Sequence, residues 1–149
     1  MSNLNNLTEF EELYVEFQRK VSVEWNNRLD RLVSGSQATI LRSLEEKGPQ
    51  NASTLAKHLH ITPGAVTSLS DKLIINGYAQ RKRDSNDRRV VLLEITEQGR
   101  ELLQQFKIEI KSVIQQFFSG LPDNDINHLI RIYQHVLMNI ATKKEAKSE

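Results

Sequence analysis

Residues 81–89 read RKRDSNDRR, with Arg81, Lys82, Arg83, Arg88 and Arg89 set against Asp84 and Asp87. Five positive and two negative charges make a local +3 in a chain whose formal net charge is only +1. Clustered guanidinium groups hydrogen-bond phosphate oxygens, and an arginine on a projecting turn reaches a minor groove, where negative potential is concentrated. Asp87 stands beside Arg88 and Arg89 and is expected to hold one guanidinium in a fixed fork while the other reaches out. The bland alternative is a surface turn whose charges only keep an edge strand soluble.

A second group precedes it. In TPGAVTSLSDKL, residues 62–73, Val66, Leu69 and Leu73 recur at helical spacing and face inward. Gly64, Thr67, Ser68, Asp71 and Lys72 then form the wet face. Thr62 caps this helix and Pro63 takes its first position, where a missing N–H costs nothing. Short side chains near a helix N-terminus suit entry into a major groove of about 12 Å. The terminal N–H groups and the dipole favour a phosphate, and Gly64 has no side chain to hold the backbone away.

The elements that position these groups follow from periodicity and capping. Residues 8–33 predict an amphipathic helix, opened by a Thr8–Glu11 capping box and striped by Phe10, Tyr14, Phe17, Val21, Trp25, Leu29 and Leu32. Ser34 and Gln37 make a second capping box for a helix through Ile40, Leu41 and Leu44, stopped by KGP at 47–49. Asn51 caps a short helix from Ala52 to Leu59. Three connecting residues lead to the helix at Pro63, which Gly77 ends. Helix, short turn, helix is the helix-turn-helix arrangement. YAQRKR and VVLLEI then alternate as strands around the turn-forming DSND, with Val91, Leu93 and Ile95 on one face. Thr96 caps a long helix carrying Leu103, Phe106, Ile110, Val113 and Phe117. SGLPD breaks it, and a last helix from Asp123 to Ala141 shows Ile126, Leu129, Tyr133, Val136 and Ile140, followed by a charged, frayed tail TKKEAKSE. The fold class is therefore mainly α with a small β-wing: a winged helix-turn-helix flanked by long helices.

Composition removes several function classes. Cysteine is absent, so thiolate metal sites, disulfides and thiol switching are excluded. His128 and His135 are two helical turns apart, and His58 and His60 flank a helix end, both poor spacings for one ion; no metal and no cofactor are expected. No phosphate-binding glycine loop, nucleophile elbow or H-E-x-x-H motif is present, which argues against an enzyme. The polar, acidic start is unlike a signal peptide and no apolar run would span a membrane, so a soluble cytoplasmic protein is expected. A protein-docking winged helix is the rival reading, but such a surface would show aromatic or aliphatic anchors where this turn shows Arg, Asp, Ser and Asn.

The Ser34–Gln37 start, LAKHLHITPGAVTSLSDKLIINGY, the D-x-x-D-R-R of residues 84–89 and the following LLEITEQGRELL together resemble the multiple antibiotic resistance regulator (MarR) family of bacterial winged-helix transcription factors. The resemblance covers nearly the whole chain and implies one domain over 1–149. About 34–96 would be the DNA-binding lobe, and about 8–33 and 97–141 the dimerisation helices. It implies a homodimer on a pseudo-palindromic double-stranded operator, a repressor released by a small aromatic or anionic effector bound between dimer helices and lobe. Thr62, Pro63, Gly64, Thr67, Ser68 and Lys72 fall on the family's DNA-facing helix positions. Arg81, Asp87, Arg88 and Arg89 fall on its wing positions. His60 stands where the family often has glycine, predicting a strained turn, and Ser68 where some members have arginine. The operator, the effector and the sign of regulation are not given by these residues.

Overall fold

The computed structural model describes residues 2–29 and 32–145. In chain order the elements are α1 (Ser2–Leu29), α2 (Gly35–Lys47), α3 (Ala52–Leu59), α4 (Pro63–Ile75), β1 (Ala79–Arg83), β2 (Val91–Ile95), α5 (Glu97–Phe117) and α6 (Asp123–Glu145). They form two compact units, one through Val113 and one from Ile114 onward. The fold class is as expected, predominantly helical with one two-stranded sheet.

The first unit is organised by local caps and one apolar core. Ser34 Oγ accepts from the Gln37 N–H at 3.2 Å while Gln37 Oε1 accepts from the Ser34 N–H at 3.0 Å, a reciprocal capping box at the start of α2. Gly48 closes α2 at φ 79°, a conformation that costs glycine little. Asn51 Oδ1 accepts from the Thr54 N–H at 2.7 Å and starts α3. Above these caps Ile40, Leu41, Leu44, Leu55, Val66, Leu73, Ile95, Leu103 and Phe106 share a single cluster. Full burial of each such aliphatic side chain stabilises by about 1.5–3 kcal/mol. Trp25 and Leu32 pack against its edge.

Several boundaries differ from expectation. Helix α1 is described from Ser2, so Thr8 lies inside it and not at its N-terminus. The segment before Thr8 bears no proline or glycine, so no strong breaker stops the helix from propagating past the capping signal. Its expected end at 33 is also too long: α1 is described through Leu29, residues 30 and 31 lie outside the described residues, and Leu32 and Val33 are not helical. Helix α6 continues past Ala141 through Glu145, because Thr142, Lys143 and Lys144 include no helix breaker; Lys147 lies outside the described residues.

Apolar side chains on α1 and α6 are exposed, whereas the stripe of α5 is buried at Leu103, Phe106 and Val113. Phe10, Tyr14 and Phe17 on α1 are exposed, as is Phe117 at the end of α5. In the second unit Tyr133, Val136 and Ile140 of α6 are 50%, 43% and 51% exposed. Along one helix their three- and four-residue spacing makes a continuous apolar strip.

Candidate nucleic-acid interface

The turn between α3 and α4 is three residues long. His60 begins it at φ 54°, ψ 40°, the left-handed region, with its N–H donating to the Ala56 carbonyl. A non-glycine residue is unusual there, although histidine is among the more tolerant. The strained turn expected at this position is what the backbone shows. Thr62 Oγ1 accepts from the Ala65 N–H at 3.1 Å and caps α4, with Pro63 at the first position. The Thr62 hydroxyl proton remains available for an outside acceptor. Pro63 has no N–H, and the Ala65 and Val66 N–H groups are used by Thr62, so Gly64 carries the open donor of this first turn. A Cβ at Gly64 would meet nothing within 4 Å, so the backbone is open to an approaching group.

Thr62, Pro63, Gly64, Thr67, Ser68, Asp71 and Lys72 are all exposed, and from Gly64 onward they lie along one stripe of α4. Thr67 Oγ1 donates to its own helix at the Pro63 carbonyl, 3.0 Å away, which leaves its methyl and an acceptor lone pair facing out. The opposite face of α4 buries Val66, Ser70 and Leu73. Beneath this helix a cleft of about 210 Å³ runs between α3, α4 and β2, lined by Leu55, Thr67, Arg81 and Leu93 among others. The Ser70 hydroxyl, in a residue only 6% exposed, lines it without a hydrogen-bond partner.

The hairpin pairs β1 and β2 antiparallel, with Ala79 opposite Ile95 and Arg83 opposite Val91. Leu93 and Ile95 are buried as expected, but Val91 is 43% exposed, since the lobe core does not extend out to the hairpin tip. The five wing cations separate into distinct roles. Arg81 forms an ion pair with Asp71 of α4. Lys82 lies 3.9 Å from Glu94 on the neighbouring strand. Arg83 Nη1 donates to the Arg88 carbonyl at 2.9 Å and braces the loop from within. Arg88 and Arg89 are exposed and make no side-chain ion pair among the described residues.

Asp87 does not hold a guanidinium. Its Oδ1 accepts from the Arg89 backbone N–H at 3.0 Å, and its carbonyl accepts from the Val90 N–H. Asp84 likewise accepts from the Asn86 N–H at 3.1 Å. Both carboxylates make local turns with the backbone two residues on, the geometry that short acidic side chains favour in loops. The acids of the wing tip are thus spent on the backbone, and neither pairs with the side chain of Arg88 or Arg89.

Two supports, at Gln50 and Gly99, were not visible from residue types alone, and the expected Thr96 cap reinforces the second. Gln50 pairs backbone-to-backbone with Leu93, its N–H donating at 3.0 Å and its carbonyl accepting at 2.7 Å, so the loop after α2 adds an edge to the wing sheet. The Gln50 side chain is buried, with Nε2 donating to Ser43 and Oε1 against His58 Nδ1 at 3.2 Å. A Cβ at Gly99 would stand 2.1 Å from the Tyr78 carbonyl oxygen, so α5 presses directly on the start of β1. Thr96 locks that junction, donating to the Gly77 carbonyl at 2.6 Å while accepting from the Gly99 N–H at 3.1 Å. The Thr-x-x-Gly spacing was the available signal for this last contact.

A capped helix-turn-helix with an exposed, short-side-chain second helix, followed by a braced hairpin ending in free arginines, defines a winged helix-turn-helix DNA-binding protein. A model of the MarR family matches residues 33–91. The chain is 30% identical over 115 residues to YpoP of Bacillus subtilis (strain 168), an uncharacterized HTH-type transcriptional regulator, spanning 77% of this chain and 82% of YpoP. It is 27% identical over 94 residues to the HTH-type transcriptional repressor MdtR of the same organism, spanning 63% of this chain and 61% of MdtR. The crystal structure of YusO from Bacillus subtilis shares the fold, with a TM-score of 0.79 at 22% identity over 90% of this chain and 96% of YusO. The chain belongs to the MarR family and is a DNA-binding transcriptional regulator, not an enzyme. No helix among the described residues is long and apolar enough to cross a membrane.

Proposed function

We propose that the chain works as a homodimeric repressor on a pseudo-palindromic operator, reading the major groove with α4 and touching the flanking minor groove with the wing. The observation that carries this is the pairing of an exposed α4 stripe with a hairpin whose bracing leaves Arg88 and Arg89 unpaired. Thr62 and the Gly64 N–H meet phosphate, Thr67 and Ser68 meet base edges, and Lys72 adds a backbone contact further along the helix. Asp87 serves by holding the turn. Residues 34–96 form the reading lobe, and α1, α5 and α6 form the dimerisation helices.

The uncovered strips on α1 and α6 support the dimer, since contiguous exposed apolar surface marks an association face. Release by a small aromatic or anionic molecule bound between the dimerisation helices and the lobe is the regulation we assign here; the 210 Å³ cleft with its unpartnered Ser70 hydroxyl lies within the lobe itself. The relative MdtR is a transcriptional repressor, and repression is the sign we assign here. The HTH-type regulators among its relatives displace the protein-docking alternative. Operator binding requires the compartment that holds the DNA, and we assign the protein to the cytoplasm of a bacterial cell.

Selection of bound duplexes from a random pool tests this reading. It should return a site with two-fold symmetry and half-site centres about 10–10.5 base pairs apart, as a symmetric dimer requires. Inserting about five base pairs between the half-sites turns one to the opposite face of the duplex and should abolish tight binding. Sedimentation should show a dimer at micromolar concentration. An asymmetric site bound equally well after insertion, or a monomer in sedimentation, would refute the proposal.

A further inference from the structure

Asp71 is the one acidic residue of α4, and it stands on the exposed stripe that faces DNA in the proposed complex. A carboxylate there opposes a polyanion that carries one charge for about every 1.7 Å of duplex axis. It is not left bare. The guanidinium of Arg81 crosses from β1 to meet it, and both side chains remain about half exposed, at 52% for Arg81 and 50% for Asp71. The same pairing removes Arg81 from the cations that the wing offers to phosphate. Its neighbours are also engaged: Lys82 faces Glu94, and Arg83 is turned back onto the loop.

We infer that Asp71 is a specificity-determining residue: it masks Arg81 and so withholds one cation per protomer from sequence-independent phosphate binding. A regulator must hold its operator against a large excess of other duplex, and what matters is the ratio of specific to non-specific affinity. Non-specific binding is almost wholly phosphate neutralisation. An arginine beside the recognition helix, free to swing onto the nearest phosphate, would raise affinity for every sequence alike. Tethered to Asp71 it forms a neutral pair on the protein surface. Arg88 and Arg89, held at the tip by backbone hydrogen bonds, keep the phosphate and minor-groove contacts. Arg81 is thereby reassigned from a DNA contact to a masked cation.

The inference rests on α4 and the wing facing DNA, and the test separates the two. A scrambled duplex of defined length is titrated with the native chain, Asp71→Ala, the double variant Asp71→Ala/Arg81→Ala, and Arg88→Ala/Arg89→Ala as a control, each checked for native circular dichroism. Freeing Arg81 should steepen the slope of log affinity against log salt by about 0.9 for each protomer engaged, which at 0.1 M salt is roughly an eightfold gain per freed arginine. The double variant should return to the native slope. An unchanged slope and affinity for Asp71→Ala overturns the inference. So does a gain that persists in the double variant, because it would come from loss of the Asp71 charge and not from release of Arg81. If the Arg88/Arg89 control also binds as tightly as the native chain, the proposed interface fails and this inference with it. If the control is weakened while Asp71→Ala is unchanged, the inference alone fails.

Discussion

Replacing both Arg88 and Arg89 by alanine isolates the wing's contribution to operator binding with little risk to the fold. The contacts that shape the tip at these two positions are backbone ones. The Arg88 carbonyl accepts from Arg83, and the Arg89 N–H donates to Asp87. Alanine keeps both. The side chains it removes are exposed and enter no ion pair among the described residues, so thermal stability should shift by no more than about 0.5 kcal/mol, as for surface substitutions away from special features. Binding should respond strongly. Two cations on each of two wings are removed, and at about 0.9 per phosphate contact the slope of log affinity against log salt becomes shallower by about 3.6. Between 50 and 200 mM salt, the native chain's advantage over the variant should therefore shrink by roughly 150-fold. Fluorescence anisotropy with a labelled operator across that range measures it. Half the effect would mean that one arginine of each wing reaches phosphate. A folded variant with native affinity and native slope would refute the reasoning, and the wing would then be a solvated turn.

The junction of α5 with β1 should be intolerant: Gly99→Ala places a methyl 2.1 Å from the Tyr78 carbonyl oxygen, and a loss of about 3 kcal/mol is expected in urea unfolding, where a neutral result would contradict the close approach. His60→Gly should raise stability by about 0.5–1 kcal/mol, because glycine accepts the left-handed conformation at φ 54° without a Cβ penalty, with a lower melting temperature as the contrary result. Asp87→Ala removes the carboxylate that accepts from the Arg89 N–H, whereas Asp87→Asn keeps an acceptor at that place; operator affinity should fall for the first and stay close to native for the second, and equal losses would assign Asp87 a direct electrostatic role.

Much of this protein is written in short-range chemistry. The caps at Ser34, Asn51, Thr62 and Thr96 each satisfy an N–H three residues onward, so a reader of the sequence needs no knowledge of the fold to place α2, α3, α4 and α5. The helix-turn-helix, the wing and the exposed α4 stripe follow from those caps and from a change of apolar period after Gly77. The same logic misplaced the start of α1, because the signal at Thr8 competes with a preceding segment that helix propagation tolerates, and nothing local decides between them.

How the charges are spent is set by contacts between elements. By residue type alone the wing cations are equivalent, and Asp87 is a natural partner for the arginines next to it. Folding brings α4 against β1, and that approach gives Arg81 a carboxylate at Asp71. Closing the hairpin carries the Arg88 carbonyl within reach of Arg83 and commits Asp87 to a backbone N–H. The pairing of Gln50 with Leu93 and the pressure of Gly99 on Tyr78 arise in the same way, between groups that belong to different elements. A side chain's partner across elements depends on where the packed core sets those elements. Local chemistry therefore sets the elements and their exposed faces, and packing between elements sets which of the wing arginines are left without an ion-pair partner among the described residues.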